Sequence, residues 1–176
     1  MQYLQGVTFP HQSLTPKEWG ALFENVVNDG ILKGCAVTAS GANVYISPGV
    51  LVVKGRLIMV AGTVTEETTP TYSDGYGRIK VCINTSNEST ESVNHQVFIV
   101  TEYSSSETFP NLTQDDINDS GTLYEVELAR FQYVSGSIST VTEKLPIVNS
   151  KQKQITYGTA DPTGGSIGDI YIKYTE

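Results

Sequence analysis

Positive charge is scarce in this sequence. Eleven Lys and Arg residues stand against 19 Asp and Glu, for a formal net charge of −8. A nucleic-acid binder needs a basic patch to displace counterions from phosphate, and docking on anionic lipid needs the same. Neither a nucleic acid nor a membrane surface is an expected partner. Long hydrophobic runs are lacking too: none approaches the roughly 20 residues of a membrane-crossing helix. No basic stretch followed by an apolar core opens the chain, so no secretory signal is read and synthesis in a cytoplasm is expected. The two cysteines, Cys35 and Cys82, both sit in apolar runs and read as small buried hydrophobes. Their spacing neither demands nor forbids a disulfide.

Catalytic signatures are missing as well. The two histidines, His11 and His95, lie far apart, and neither has a Cys or Asp at ligand spacing. No nucleophile elbow, zinc-protease, P-loop or dinucleotide fingerprint occurs. Gly164-Gly165-Ser166-Ile167-Gly168 is rich in glycine but precedes a strand pattern, so it lacks the helix N-terminus of a phosphate cradle. Asp116, Asn118, Ser120, Gly121 and Glu127 fit the spacing of an EF-hand calcium loop. Pro110 leaves little room for a preceding helix, and the residues after Gly121 alternate like a strand, so the stretch reads as an acidic turn feeding a strand. No catalytic, cofactor-binding or metal-binding residue is assigned.

What the sequence does contain is β pattern and turn chemistry. Val44 to Val60 carries the apolar runs Val50–Val53 and Leu57–Val60, joined by Lys54-Gly55-Arg56 and preceded by Ser47-Pro48-Gly49. Branched apolar runs suit a pleated, half-buried surface, and Pro and Gly mark turns, so a three-strand meander is expected there. Arg78 to Asn84 alternates, with Ile79, Val81 and Ile83 on one face and Arg78, Lys80 and Cys82 on the other. His95 to Tyr103, Thr122 to Val134 and Ile138 to Thr142 read as further strands, and Ser73 to Gly77 as a turn. One helix interrupts this pattern. Thr15, Pro16 and Glu18 form a capping-box start, and Trp19, Leu22, Phe23, Val26 and Val27 share one apolar face before Asn28-Asp29-Gly30. That stripe requires burial, either on the β core or on a second copy of the chain.

The expected fold is mainly β: an antiparallel sandwich or barrel with one N-terminal amphipathic helix and a C-terminal β-hairpin tail. Residues 1–148 form the helix and β core. Residues 149–176 hold a polar linker and two short strands that need a partner surface, because an isolated hairpin is marginal in water. Trp19, Leu22, Phe23 and Val26, with Ile155, Tyr157, Ile170, Tyr171, Ile172 and Tyr174, are the candidate oligomer interface. Tyr72, Tyr76 and Tyr103 are candidates for a ligand face, since a tyrosine offers an apolar ring with a polar tip.

The alternating strand, Ser-Pro-Gly, apolar strand, x-Gly-Arg and apolar strand of Val44 to Val60 resemble a module of tail-fibre and baseplate proteins of tailed bacteriophages. In those proteins the module continues with a Thr-rich strand and then an Arg leading an alternating apolar strand, which Thr63 to Thr69 and Arg78 to Asn84 match. Leu4 to Phe9, Gly30 to Cys35 and Leu112 to Glu125 are similar to such structural proteins, and Tyr157 to Gly165 with Gly168 to Tyr174 to their terminal segments. The resemblance covers most of the chain. It implies a non-enzymatic virion component of the baseplate or tail tip, an adaptor or small fibre assembled in the host cytoplasm. A homotrimer is implied, with other phage tail or capsid proteins as partners and a host cell-surface glycan as a possible contact. A head-decoration or head-fibre protein is the alternative within that class, and a carbohydrate-binding module the alternative outside it.

Overall fold

A computed structural model describes residues 14–68, 73–90, 94–148, 155–158, 161 and 170–173. The helix α1 spans Pro16–Glu24 and starts where the capping box places it. The Thr15 hydroxyl accepts from the Glu18 N–H at 3.3 Å, and the Glu18 carboxylate accepts from the Thr15 N–H at 2.6 Å. Its end is earlier than the apolar periodicity suggests. Asn25 caps it, donating from its side chain to the Ala21 carbonyl at 2.8 Å, so Val26 and Val27 fall outside the helix. Gly30 opens a strand and is not a left-handed stop.

The remainder is mainly β, in three antiparallel sheets and one two-stranded pair. The first six strands are β1 (Gly30–Gly34), β2 (Val37–Ser40), β3 (Asn43–Ile46), β4 (Gly49–Val53), β5 (Arg56–Val60) and β6 (Val64–Glu67). One sheet has the order β1-β4-β5 and another β2-β3-β6. In chain order these are three long strands, each bent at one level: β1 into β2, β3 into β4, and β5 into β6. The expected meander is therefore present in altered form. Ser47-Pro48 does not reverse the chain but bends it beside the matching bend at Cys35-Ala36. Ala36 N–H donates to Ser47 Oγ and Ser47 N–H to the Ala36 carbonyl, both at 3.0 Å, so the two corners hold each other. Proline suits the bend because it carries no N–H to lose from a ladder.

The third sheet has the order β10-β9-β7-β8, built from β7 (Gly75–Asn84), β8 (Val97–Ser104), β9 (Leu123–Val134) and β10 (Ser137–Glu143). β7 starts earlier than expected, taking in residues read as a turn. At Gly77 the Phe131 ring lies within 2.0 Å of where a Cβ would stand, so glycine there makes room for an aromatic on the neighbouring strand. The inward face of this sheet carries Ile79, Val81, Ile83, Val126, Leu128, Phe131 and Tyr133. It packs in one core with Val44, Ile46, Leu51, Val53 and Ile58 of the bent strands. The register shifts at Ile79/Lys80, where Leu128 is the extra residue on β9. This bulge reverses the alternation, so Leu128 and Ala129 both face the core.

The last two strands, β11 (Ile155–Gly158) and β12 (Ile170–Lys173), correct the expected hairpin: they pair in parallel. Parallel neighbours need a long crossover where a hairpin needs a tight turn. Side chains of this pair, and Tyr174, lie outside what is described, so their part in an interface is not placed.

The β4–β5 turn seats the helix. Lys54 and Gly55 both have positive φ, 50° and 70°, the turn whose twist matches a hairpin. A Cβ on Gly55 would lie 2.1 Å from the Gly20 carbonyl oxygen and 2.5 Å from the Glu24 nitrogen. Gly55→Ala is expected to cost at least about 1–2 kcal/mol from its left-handed backbone, with more from displacement of α1. The urea midpoint measures this, and an unchanged midpoint would show that α1 is not seated on the turn.

Candidate interaction surface and buried charge network

Bulge and alternation together place the charged residues of the four-stranded sheet on its outer face. Arg78, Lys80 and Cys82 are buried there although they face away from the core. Arg78 donates to Glu102, with Nε at 3.1 Å, and to the Pro110 carbonyl at 2.9 Å. Lys80 Nζ lies 2.5 Å from both Glu102 and Glu125. Glu125 also accepts from the Thr113 N–H at 2.7 Å. The bulge puts Glu127 and Arg130 on the same face, three residues apart, where they pair at 2.5 Å. Segment 105–114 folds across this network. The Phe109 ring lies 4.9 Å from the Arg78 guanidinium and 5.3 Å from that of Arg130, within cation–π range.

Here three cations meet three carboxylates, so the buried charge cancels. Burial pushes the Glu102 and Glu125 pKa values up, but the hydrogen bond from Lys80 to each, with Arg78 on Glu102 and the Thr113 N–H on Glu125, outweighs it and holds both below 4.5. Burial, with the Glu125 charge beside it, pushes the Cys82 thiol up to about 11. Such a thiol stays protonated at neutral pH and is a poor nucleophile. Cys35 is buried and its pKa is raised by burial. The two cysteines are free thiols and not a disulfide.

A second polar cluster surrounds Lys54. Its N–H donates to Asp29 at 2.7 Å, its carbonyl accepts from Asn118 at 3.0 Å, and its ammonium pairs with Glu24. Burial opposes the Lys54 charge, but the Glu24 hydrogen bond and the fields of Glu24, Asp116 and Asp29 raise its pKa. Arg56 donates to the Ile117 carbonyl and to Asn118, each at 3.0 Å. The acidic turn thus serves as a strut. Asp116 accepts from the Asn118 N–H at 3.2 Å, and Glu127, twelfth in the calcium-loop spacing, lies within β9 against Arg130.

The apolar surface is the part that packing leaves unsatisfied. The helix buries Gly20, not its apolar stripe. Trp19 is 46% exposed, Leu22 51% and Phe23 43%. The Trp19 and Phe23 rings stack on each other with centroids 5.5 Å apart. Burial of the stripe on this chain's own core is therefore overturned: the close approach of Gly20 to Gly55 and Asn118 turns the small face inward. Leu57 and Met59 of β5 are 66% and 69% exposed, on the side opposite Ile58. Strand alternation could have found these two; the helical pattern alone gave no sign of which face would dock.

The candidate ligand face is not one platform. Tyr76 lies on the outer face with Arg78 and Lys80, opposite Gln132. Tyr103 pairs with Gly77 on the inward parity and packs edge-on against Phe131 and Tyr133. Tyr72 lies outside the described residues. Tyr76 alone borders an open hollow of about 170 Å³, with Arg130, Gln132, Thr140, Thr142 and Lys144.

No protein-family model matches this chain, and no curated protein matches it.

Arg78→Ala is expected to lower stability by roughly 3–5 kcal/mol, as for breaking a buried pair, read from the urea midpoint. The carboxylates set the acid limit. Their folded pKa values lie below the unfolded value of 4.5, so their contribution is complete above that pH. It is lost as pH falls through the folded values. The melting temperature should drop in that window, and the drop should shrink in a Glu102→Gln, Glu125→Gln double variant. An identical acid profile in the variant would show that other groups set the limit.

Proposed function

We propose that this chain is a non-enzymatic structural protein of a tailed-phage virion, an adaptor or small fibre of the baseplate or tail tip that works as a homo-oligomer, a trimer by analogy. The observation that carries the reading is the exposed Trp19–Leu22–Phe23 stripe on a helix docked by its other side. Leaving three large apolar side chains on one helix face in water wastes hydrophobic free energy unless another surface covers them. The buried ionisable groups support a scaffold: within the two clusters, cations and carboxylates engage each other. The resemblance of Val44 to Val60 and Arg78 to Asn84 to fibre and baseplate proteins supplies the virion context.

Light scattering after gel filtration tests the assembly. The wild-type chain should elute as a stable oligomer at micromolar concentration. Leu22→Asp should reduce it to a monomer with unchanged β circular dichroism, because a half-exposed surface position changes monomer stability by only about 0.5 kcal/mol. A monomeric wild type, or an unaffected Leu22→Asp oligomer, would count against the stripe as the interface. Imaging of the intact particle with this chain located in it tests the virion assignment itself.

A carbohydrate-binding module is the second reading, favoured by the hollow beside Tyr76. An aromatic ring next to amide, hydroxyl and ammonium groups suits a saccharide. Binding on a glycan array that is lost in Tyr76→Ala would support it.

A further inference from the structure

Among the described residues, five cations are at least partly buried: Lys54, Arg56, Arg78, Lys80 and Arg130. Four of them pair with a carboxylate. Arg56 has no carboxylate partner among the described residues. Both of its hydrogen bonds leave from Nη2, to the Ile117 carbonyl and to Asn118, and its Nε is buried without a partner. Burial works against its charge. A half-buried cation without a counter-charge is costly, so it marks a place that an anion completes. Arg56 lines a hollow of about 350 Å³ with Trp19, Phe23 and Leu57, and it is the one charged residue described there. An adjoining hollow of about 340 Å³ shares Ile58 and Val97 with the first and adds Met59 and Phe98. Its one charged residue is Glu66, a half-buried carboxylate that pairs with no cation among the described residues. The two hollows thus form one apolar surface, with an unpaired cation in one and an unpaired carboxylate in the other.

We propose that a second copy of this chain covers this surface, with Arg56 of one copy seated against Glu66 of the next. The inference rests on the homo-oligomer reading and adds the charge pair that sets its register. Arg56 opens β5 and Glu66 lies in β6, the continuation of the same bent strand, so the two charges sit toward opposite ends of the surface. Around a symmetry axis through it, the Arg56 end of one copy meets the Glu66 end of its neighbour, in a trimer or in a dimer. The exposed Trp19, Leu22, Phe23, Leu57, Met59 and Phe98 would be covered by the same contact. At roughly 100 Å² each they offer about 600 Å², near the roughly 800 Å² that each partner gives to an interface of standard size. Copies of net charge −8 repel each other, so a contact between them needs attraction at a defined place. A guanidinium supplies it by donating two parallel N–H groups to a carboxylate. Apolar neighbours that exclude water strengthen such a pair, and Arg and Trp are the residue types that dominate interface centres.

Light scattering over a dilution series of the full chain gives the dissociation constant of the oligomer. Arg56→Glu and Glu66→Arg should each weaken it at least about thirtyfold, as for one partner of a buried charge pair. The variant carrying both changes should recover to within about fivefold of wild type, because the pair is restored in reverse. Arg56→Glu also removes the bonds to Ile117 and Asn118, so a second measurement keeps the positive charge. In Arg56→Lys, a carbodiimide that joins an ammonium to a touching carboxylate should give more covalent dimer than in wild type. Peptide mapping of that dimer should place the new bond between position 56 and Glu66. Unaffected single variants, no recovery in a folded double variant, or a new bond confined to uncrosslinked monomer would each overturn the pairing. If Leu22→Asp still dissociates the wild-type oligomer in those cases, the oligomer reading stands without it. A monomeric wild type would overturn both.

Discussion

Lys54 is the point where the layers of this protein meet. Its backbone N–H holds Asp29, its carbonyl holds Asn118, and its ammonium holds Glu24, with the Tyr124 ring 5.5 Å away. Tyr124 in turn donates to Asp29 at 3.0 Å, and burial with the Asp29 charge raises its pKa. One turn residue thus joins the helix, the bent sheet, the acidic turn and the four-stranded sheet. The arrangement depends on Gly55, since only a residue without Cβ lets the hairpin tip touch the helix backbone. The inward face of α1 is set by that contact, and the exposed apolar stripe is the consequence.

The outer face of the four-stranded sheet solves a related problem. Charged groups removed from water are costly unless paired, and each buried cation here has a carboxylate partner. The bulge at Leu128 is what permits it. Without that extra residue Glu127 and Arg130 would point to opposite faces, and a charge would be forced into the apolar core. Segment 105–114 then covers the network with backbone donors and acceptors and with one aromatic ring. Such a network ties a long irregular segment to a sheet.

Legibility in the sequence varied with the range of the interaction. The capping box of Thr15 and Glu18, the hairpin at Lys54-Gly55 and the alternation of Arg78 to Asn84 are local, and each stands in the structure as its residues indicate. The end of α1, the bend at Pro48 and the start of β7 at Gly75 were not legible, because a second element fixes each. The corner at Cys35-Ala36 sets the bend, and the Phe131 ring accounts for Gly77. Among the candidate site residues, Trp19, Leu22 and Phe23 share one helix face as their spacing indicates. Tyr76 and Tyr103 do not share a face, because they lie on opposite parities of paired strands.

The sequence by itself determined the mainly β class, the capped start of α1, the face alternation of β7 and the net acidic composition. These depend on periods of 2 and 3.6 residues and on composition, which any short window carries. Only the tertiary structure decided which face of α1 docks, which carboxylates neutralise Arg78 and Lys80, and that β11 and β12 run parallel. Those outcomes depend on residues tens of positions apart, and on backbone contacts such as Gly55 against Gly20 that leave no periodic trace in the chain.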